Sequence, residues 1–190
     1  MSSARPERLL GIIAVLLLAA ALIAFVAVTT GPGGTTPVPS GAADGMEGPD
    51  GPTERAEVLR VVDGDTIVVR VGDREERVRY IGLDAPEVAD AGSGTPAECG
   101  GDEARTANER LVAGEWLILE RDVSDRDRFG RLLRHAWLEN GAWRLAGLEL
   151  VEAGAVEARS YPPDIARDAE LDAAERRARD AGLGIWGGCR

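Results

Sequence analysis

Branched apolar residues gather at Val61, Val62, Ile67, Val68, Val69 and Val71, and this pattern predicts two strands separated by Asp63-Gly64-Asp65. A third strand is expected over 77–81, entered through the Gly72-Asp73 turn signal. Farther along, Trp116–Glu120 and 132–138 read as strands, the second running into an Asn140-Gly141 hairpin signal. Helical spacing predicts a helix over 102–112, with Ala104, Ala107, Leu111 and Val112 inward and Gly114 ending it. A second is expected over 145–153, stopped by Gly154. A third spans 168–181, with Leu171, Ala174, Ala178 and Ala181 inward and Gly182 after it. About five short strands with about three helices imply an α+β domain, a small barrel with helices packed on it.

The N-terminal part follows different rules. Residues 9–28 carry no charge, and a 20-residue helix is about 30 Å long, the thickness of a bilayer's hydrocarbon core. A transmembrane anchor is therefore predicted there, with residues 1–8 as a short cytoplasmic N-terminus. A cleaved secretory signal is the rival, since Arg5 and Arg8 supply a positive start. Those two arginines, with no Lys or Arg after the span until Arg55, orient the N-terminus toward the cytoplasm and the remainder outside. Residues 29–53 hold seven Gly and five Pro, too little apolar surface for a core, and are predicted to be a disordered linker. The domain proper is expected over 54–190.

Charge narrows the function classes. The chain has net charge −11 and no lysine. A broad basic face for tight non-specific nucleic-acid binding is absent, so any polyanion must meet local arginine or a bound cation. His135 is the only histidine, which excludes a site built on several histidines and makes a structural role the expectation for it. Asp65 and Asp84, carboxylates at strand ends beside backbone carbonyls, point to a hard divalent cation held through oxygen. Read alone, Asp63-Gly64-Asp65 is also an ordinary turn. On the outer side of a membrane, Cys99 and Cys189 are expected to form one disulfide, with two unpaired thiols as the alternative.

The combination is more specific than its parts. Asp63-Gly64-Asp65-Thr66, Arg79, Asp84-Ala85-Pro86-Glu87 and Asp127-Arg128-Phe129-Gly130-Arg131, in this order and spacing, resemble the staphylococcal nuclease (thermonuclease) family. The resemblance runs over 55–187 and ends in Gly184-Ile185-Trp186. It implies a five-stranded oligonucleotide/oligosaccharide-binding (OB) barrel with about three packed helices. It further implies that Asp65, Asp84 and the backbone carbonyl of Ala85 bind calcium, that Glu87 positions or deprotonates the attacking water, and that Arg79 and Arg131 grip the phosphate. The family's products, from DNA or RNA, carry a 3′-phosphate and a free 5′-hydroxyl. Arg128 and Phe129 replace the family's Lys-Tyr pair, and Tyr161 matches one of two tyrosines near the nucleotide base. Arg159 stands where the second tyrosine would be. All three positions, Arg128, Phe129 and Tyr161, are therefore substrate-binding candidates.

The resulting expectation is a monomeric, calcium-dependent extracytoplasmic nuclease tethered to the cell membrane, or secreted if the leader is cleaved, with nucleic acid as its substrate. A catalytically inactive nuclease-like barrel that binds nucleic acid or a protein partner is the alternative, and an envelope oligosaccharide binder a more distant one.

Overall fold

The computed structural model describes residues 46–89, 92, 94 and 96–189. The predicted span at 9–28 lies outside them; among the described residues no helix is long and apolar enough to cross a membrane.

The strand-forming stretch folds as an antiparallel meander: β1 (Thr53–Val61), β2 (Thr66–Val71) and β3 (Arg74–Tyr80). Val71 pairs with Arg74, so Gly72-Asp73 is a two-residue hairpin loop, and Gly72 supplies its positive φ of 58°. After the short strand β4 (Leu83–Asp84) and helix α1 (Gly101–Val112) come β5 (Trp116–Glu120) and β6 (Leu132–Glu139). β5 pairs with β1 and with β6, and β6 returns to lie parallel to β3, opposing Arg79 to Leu133. That last pairing closes five strands into a barrel, and β7 (Trp143–Leu145) extends β6 beyond it. Closure leaves few unpaired backbone groups along the strands, the usual reason a small sheet curls on itself.

The barrel is filled by alternate residues of each strand. Ala56, Val58, Ile67, Val69, Val78, Tyr80, Leu117, Leu119, Ala136 and Leu138 are all buried in one core. Helices seal it. α1 contributes Ala104 and Val112, α2 (Ala146–Glu152) Leu150 and Val151, and α3 (Asp168–Asp180) Leu171 and Ala174. A two-residue strand β8 (Glu157–Ala158) pairs with β4, and a final short turn of helix, α4, covers Ile185–Gly188.

Three expectations change. The predicted linker is described only from residue 46, and there it is bonded to the barrel: Met46 bridges to Trp143, while the Asp50 and Gly51 amides donate to Glu120 Oε1 at 2.9 and 2.8 Å. Gly- and Pro-rich composition measures the lack of apolar surface; here the partner is a buried carboxylate that takes backbone N–H groups. Second, Asn108 rather than Ala107 holds the centre of the inner face of α1, Ala107 being half-buried. Third, Ala181 caps α3 in the open and is exposed.

Candidate active site

The site forms where the ends of β2, β3 and β4 meet the start of α1. Asp63-Gly64-Asp65 is a tight turn: the Val62 amide donates to Thr66 O (2.9 Å) and the Asp65 amide to Asp63 Oδ1 (3.0 Å). Gly64 is required by closeness, because a Cβ there would lie 2.8 Å from the methyl carbons of both Ala85 and Ala104. Asn108 fixes the turn from beneath, its amide donating to Asp63 O (3.0 Å) while its own oxygen accepts from the Tyr80 hydroxyl (3.1 Å).

This turn buries Asp65, which is 5 % exposed. Thr66 donates to its Oδ1 (3.0 Å) and the Ala85 amide to its Oδ2 (2.7 Å), and Arg79 lies against it as an ion pair. Burial still prevails over these partners and pushes the Asp65 carboxyl up from 3.8 to about 7, with the Asp63 charge adding to the rise. Asp65 is thus a carboxylate short of positive charge.

Arg79 is the fork between the acids. Its Nη2 donates to Leu83 O (2.9 Å) and Asp84 Oδ1 (3.3 Å), while Nη1, buried and without an aligned hydrogen-bond acceptor, abuts Asp65. Asp84 also pairs with Arg159 and accepts from the Tyr161 hydroxyl (3.4 Å). The Glu87 carboxylate is exposed and has no hydrogen-bond or ion-pair partner among the described residues. Partial burial, then the charges of Asp63 and Glu98, raise its proton affinity. Arg131 is held at Nε by Asp127 Oδ2 (2.6 Å), and its terminal nitrogens have no hydrogen-bond or ion-pair partner among the described residues.

Asp65, Arg79, Asp84, Ala85, Glu87 and Arg131 all line one open cleft of about 760 Å³. Arg79, Phe129 and Arg131 also line a neighbouring cleft of about 580 Å³, together with Arg128, Tyr161 and the Pro162-Pro163 pair. Phe129 stands at the junction, 70 % exposed, with the Arg128 and Arg131 guanidinium carbons 4.7 and 5.6 Å from its ring centre. The substrate-binding candidates therefore share a face with the catalytic ones. Cys99 and Cys189 form a disulfide, and neither residue lines these two clefts. His135 is 3 % exposed outside the cleft, and burial lowers its proton affinity.

A family model described as staphylococcal nuclease homologue matches residues 77–188. The chain belongs to the staphylococcal nuclease family. It is a nuclease-type enzyme. Among its relatives, the thermonuclease of Staphylococcus intermedius is 32% identical over 129 residues, 68% of this chain and 74% of that protein. The thermonuclease of Staphylococcus hyicus is 31% identical over a stretch of the same length, covering 73% of that protein. Endonuclease YncB of Bacillus subtilis is 32% identical over 128 residues, 67% of this chain and 59% of its own.

The residues present fit a hard cation of the kind this family site implies. Asp65 and Asp84 converge on one arginine, Arg79; burial outweighs that positive charge at Asp65; and the carbonyl of Ala85, a residue that lines the cleft, accepts no hydrogen bond among the described residues. Among the described residues no three His, Cys, Asp or Glu side chains cluster closely enough to hold a metal alone, so a bound ion would take further oxygens from backbone, water or phosphate.

Asp63, Asn108 and Glu98 join the site without a role assigned from sequence, and Arg159, in sequence a replacement for an aromatic residue, pairs with Asp84. Asp63 was visible within the first motif. Arg159 carried a signal too, since an arginine two residues before Tyr161 reaches the acid that Tyr161 reaches.

Proposed function

We propose that the protein is a calcium-dependent nuclease that hydrolyses phosphodiester bonds of DNA or RNA outside the cytoplasm and leaves 3′-phosphate ends. The observation that carries this reading is that Asp65, Arg79, Asp84, Glu87 and Arg131 line one open cleft. A binding module has no need to set two acids, one of them buried, against a buried arginine, because a desolvated carboxylate lowers stability.

Asp65, Asp84 and the Ala85 carbonyl would hold the ion. Bound there, calcium supplies charge neutralisation at the phosphate and a site for ordering water. The terminal nitrogens of Arg131 form a planar fork suited to two phosphate oxygens, and Arg79 is set between the acids and the same space. Glu87, without a side-chain partner among the described residues and of raised proton affinity, would orient the attacking water and take its proton. Phe129 and Tyr161 offer exposed rings on which bases can stack, with Arg128 beside them. With a net charge of −11, substrate grip is confined to this arginine cluster and the ion. Arg5 and Arg8 before the uncharged segment at 9–28 support an anchor that leaves the domain outside the cell.

The test is direct. Purified protein with a single-stranded oligonucleotide should cut it in calcium and not in excess chelator, and mass spectrometry of the products should find 3′-phosphates. Undiminished cutting in chelator, or 3′-hydroxyl products, would contradict the reading.

A further inference from the structure

Glu87 sits in a loop, on neither helix nor strand, and among the described residues its carboxylate has no partner that would aim it. Its backbone is held instead by one residue. The Glu87 amide donates to Glu98 Oε2 (3.0 Å), and the Glu98 amide donates back to Glu87 O (2.8 Å). The two bonds form a closed ring at the neck of the loop between them, and the first is a charge-assisted bond to a carboxylate.

The next residue fixes the neck to the body of the domain. Cys99 is bonded to Cys189. The Cys189 amide donates to Ile185 O (3.2 Å), and the Ile185 amide to Gly154 O (2.9 Å) at the end of α2. On the other side Gly101 packs so closely on the Glu87 carbonyl that a Cβ there would collide with it.

We propose that Glu98 is a positioning residue for the reaction: it clamps the Glu87 backbone so that the Glu87 carboxylate meets the attacking water, and the Cys99–Cys189 disulfide anchors that clamp. The inference rests on the role given to Glu87 above. Glu98 itself touches neither phosphate nor water in this scheme. Its effect is geometric, and displacements of about 1 Å at a reacting group cost up to about a hundredfold in rate.

The experiment compares purified wild-type protein with Glu98→Ala, Glu98→Gln, Glu87→Gln and the double variant Glu87→Gln/Glu98→Ala. It measures kcat and KM on a calcium-supplied oligonucleotide, with thermal unfolding recorded for each. Glu98→Ala should lose about tenfold or more in kcat with KM within about twofold. Glu98→Gln should recover most of that loss, since its amide oxygen still accepts from the Glu87 N–H. In the Glu87→Gln background, Glu98→Ala should cost nothing further, because there is no base left to aim. If Glu98→Ala does not fold, the Cys99→Ser/Cys189→Ser variant takes its place and should show the same loss of kcat and the same silence when Glu87→Gln is present. Wild-type kcat in Glu98→Ala with only a lowered unfolding temperature would overturn the proposal, as would losses that multiply in the double variant. Wild-type activity in Glu87→Gln would instead overturn the role of Glu87 and leave Glu98 nothing to position.

Discussion

The Asp65 carboxylate lies against the Arg79 guanidinium, and Thr66 beside it pairs with Arg79 across β2 and β3. Register therefore delivers the carboxylate to the guanidinium. Burial holds Asp65 near 7, above its ordinary 3.8, so the folded protein binds that proton more tightly than the unfolded chain does. Its contribution to stability is full below about pH 4 and lost as pH rises toward 7. Asp65→Asn removes this loss. In chelator at pH 8 the variant should be more stable than wild type, and the gap should close near pH 4. Chemical denaturation at the two pH values measures it, while the variant's nuclease activity should be lost.

Arg79 serves Asp65, Asp84 and Leu83 O at once, which needs a planar fork. Arg79→Lys keeps the charge and loses the fork. Turnover should fall by about 10²–10³-fold, the magnitude typical of losing a preorganised donor to developing charge. A variant within a factor of two of wild type would show that charge alone suffices.

Asn108 is fully buried between the Tyr80 hydroxyl and the Asp63 carbonyl. Asn108→Ala strands both groups and should cost about 1–3 kcal/mol in unfolding free energy. Because the same bond seats the Asp63-Gly64-Asp65 turn, calcium affinity measured by titration should weaken as well. Unchanged calcium affinity would separate the turn from the ion site.

Phe129 is 70 % exposed and adds little to the core. Phe129→Ala should leave the unfolding temperature within a degree or two and raise KM for single-stranded DNA by about tenfold, since stacking on one ring is worth about 1–3 kcal/mol. A duplex with no unpaired base should show a smaller change. Equal effects on both substrates would argue against stacking.

The barrel was legible wherever one face of a strand is apolar and the turn chemistry is explicit. β5 appears with the bounds its apolar run predicts, and Gly72-Asp73 forms the hairpin its sequence announces. β4 and β8 were not legible, because two residues carry no periodicity; they pair only after the barrel has brought Leu83 to Ala158. The acids and arginines of the cleft could be named from the order and spacing of their motifs; Asp65, Arg79 and Arg131 also lie at or next to the ends of β2, β3 and β6, whose register the hydrophobic pattern fixes, whereas Glu87 lies in a loop. Asn108 is not legible because helical periodicity marks apolar residues, and a polar residue on the inner face shows only once its partners Tyr80 and Asp63 are in place. Glu98 and the segment from Met46 to Gly51 are not legible for a shared reason: each is held by a hydrogen bond between a carboxylate and a backbone N–H distant in sequence, which no side-chain pattern records.

The most direct measurement is the turnover of Glu87→Gln in saturating calcium, on protein shown by thermal unfolding to be as folded as wild type. Loss of the general base should lower kcat by about 10²–10⁴-fold with the fold intact. Wild-type turnover in that variant would contradict the assignment of this cleft as the place where the phosphodiester bond is broken.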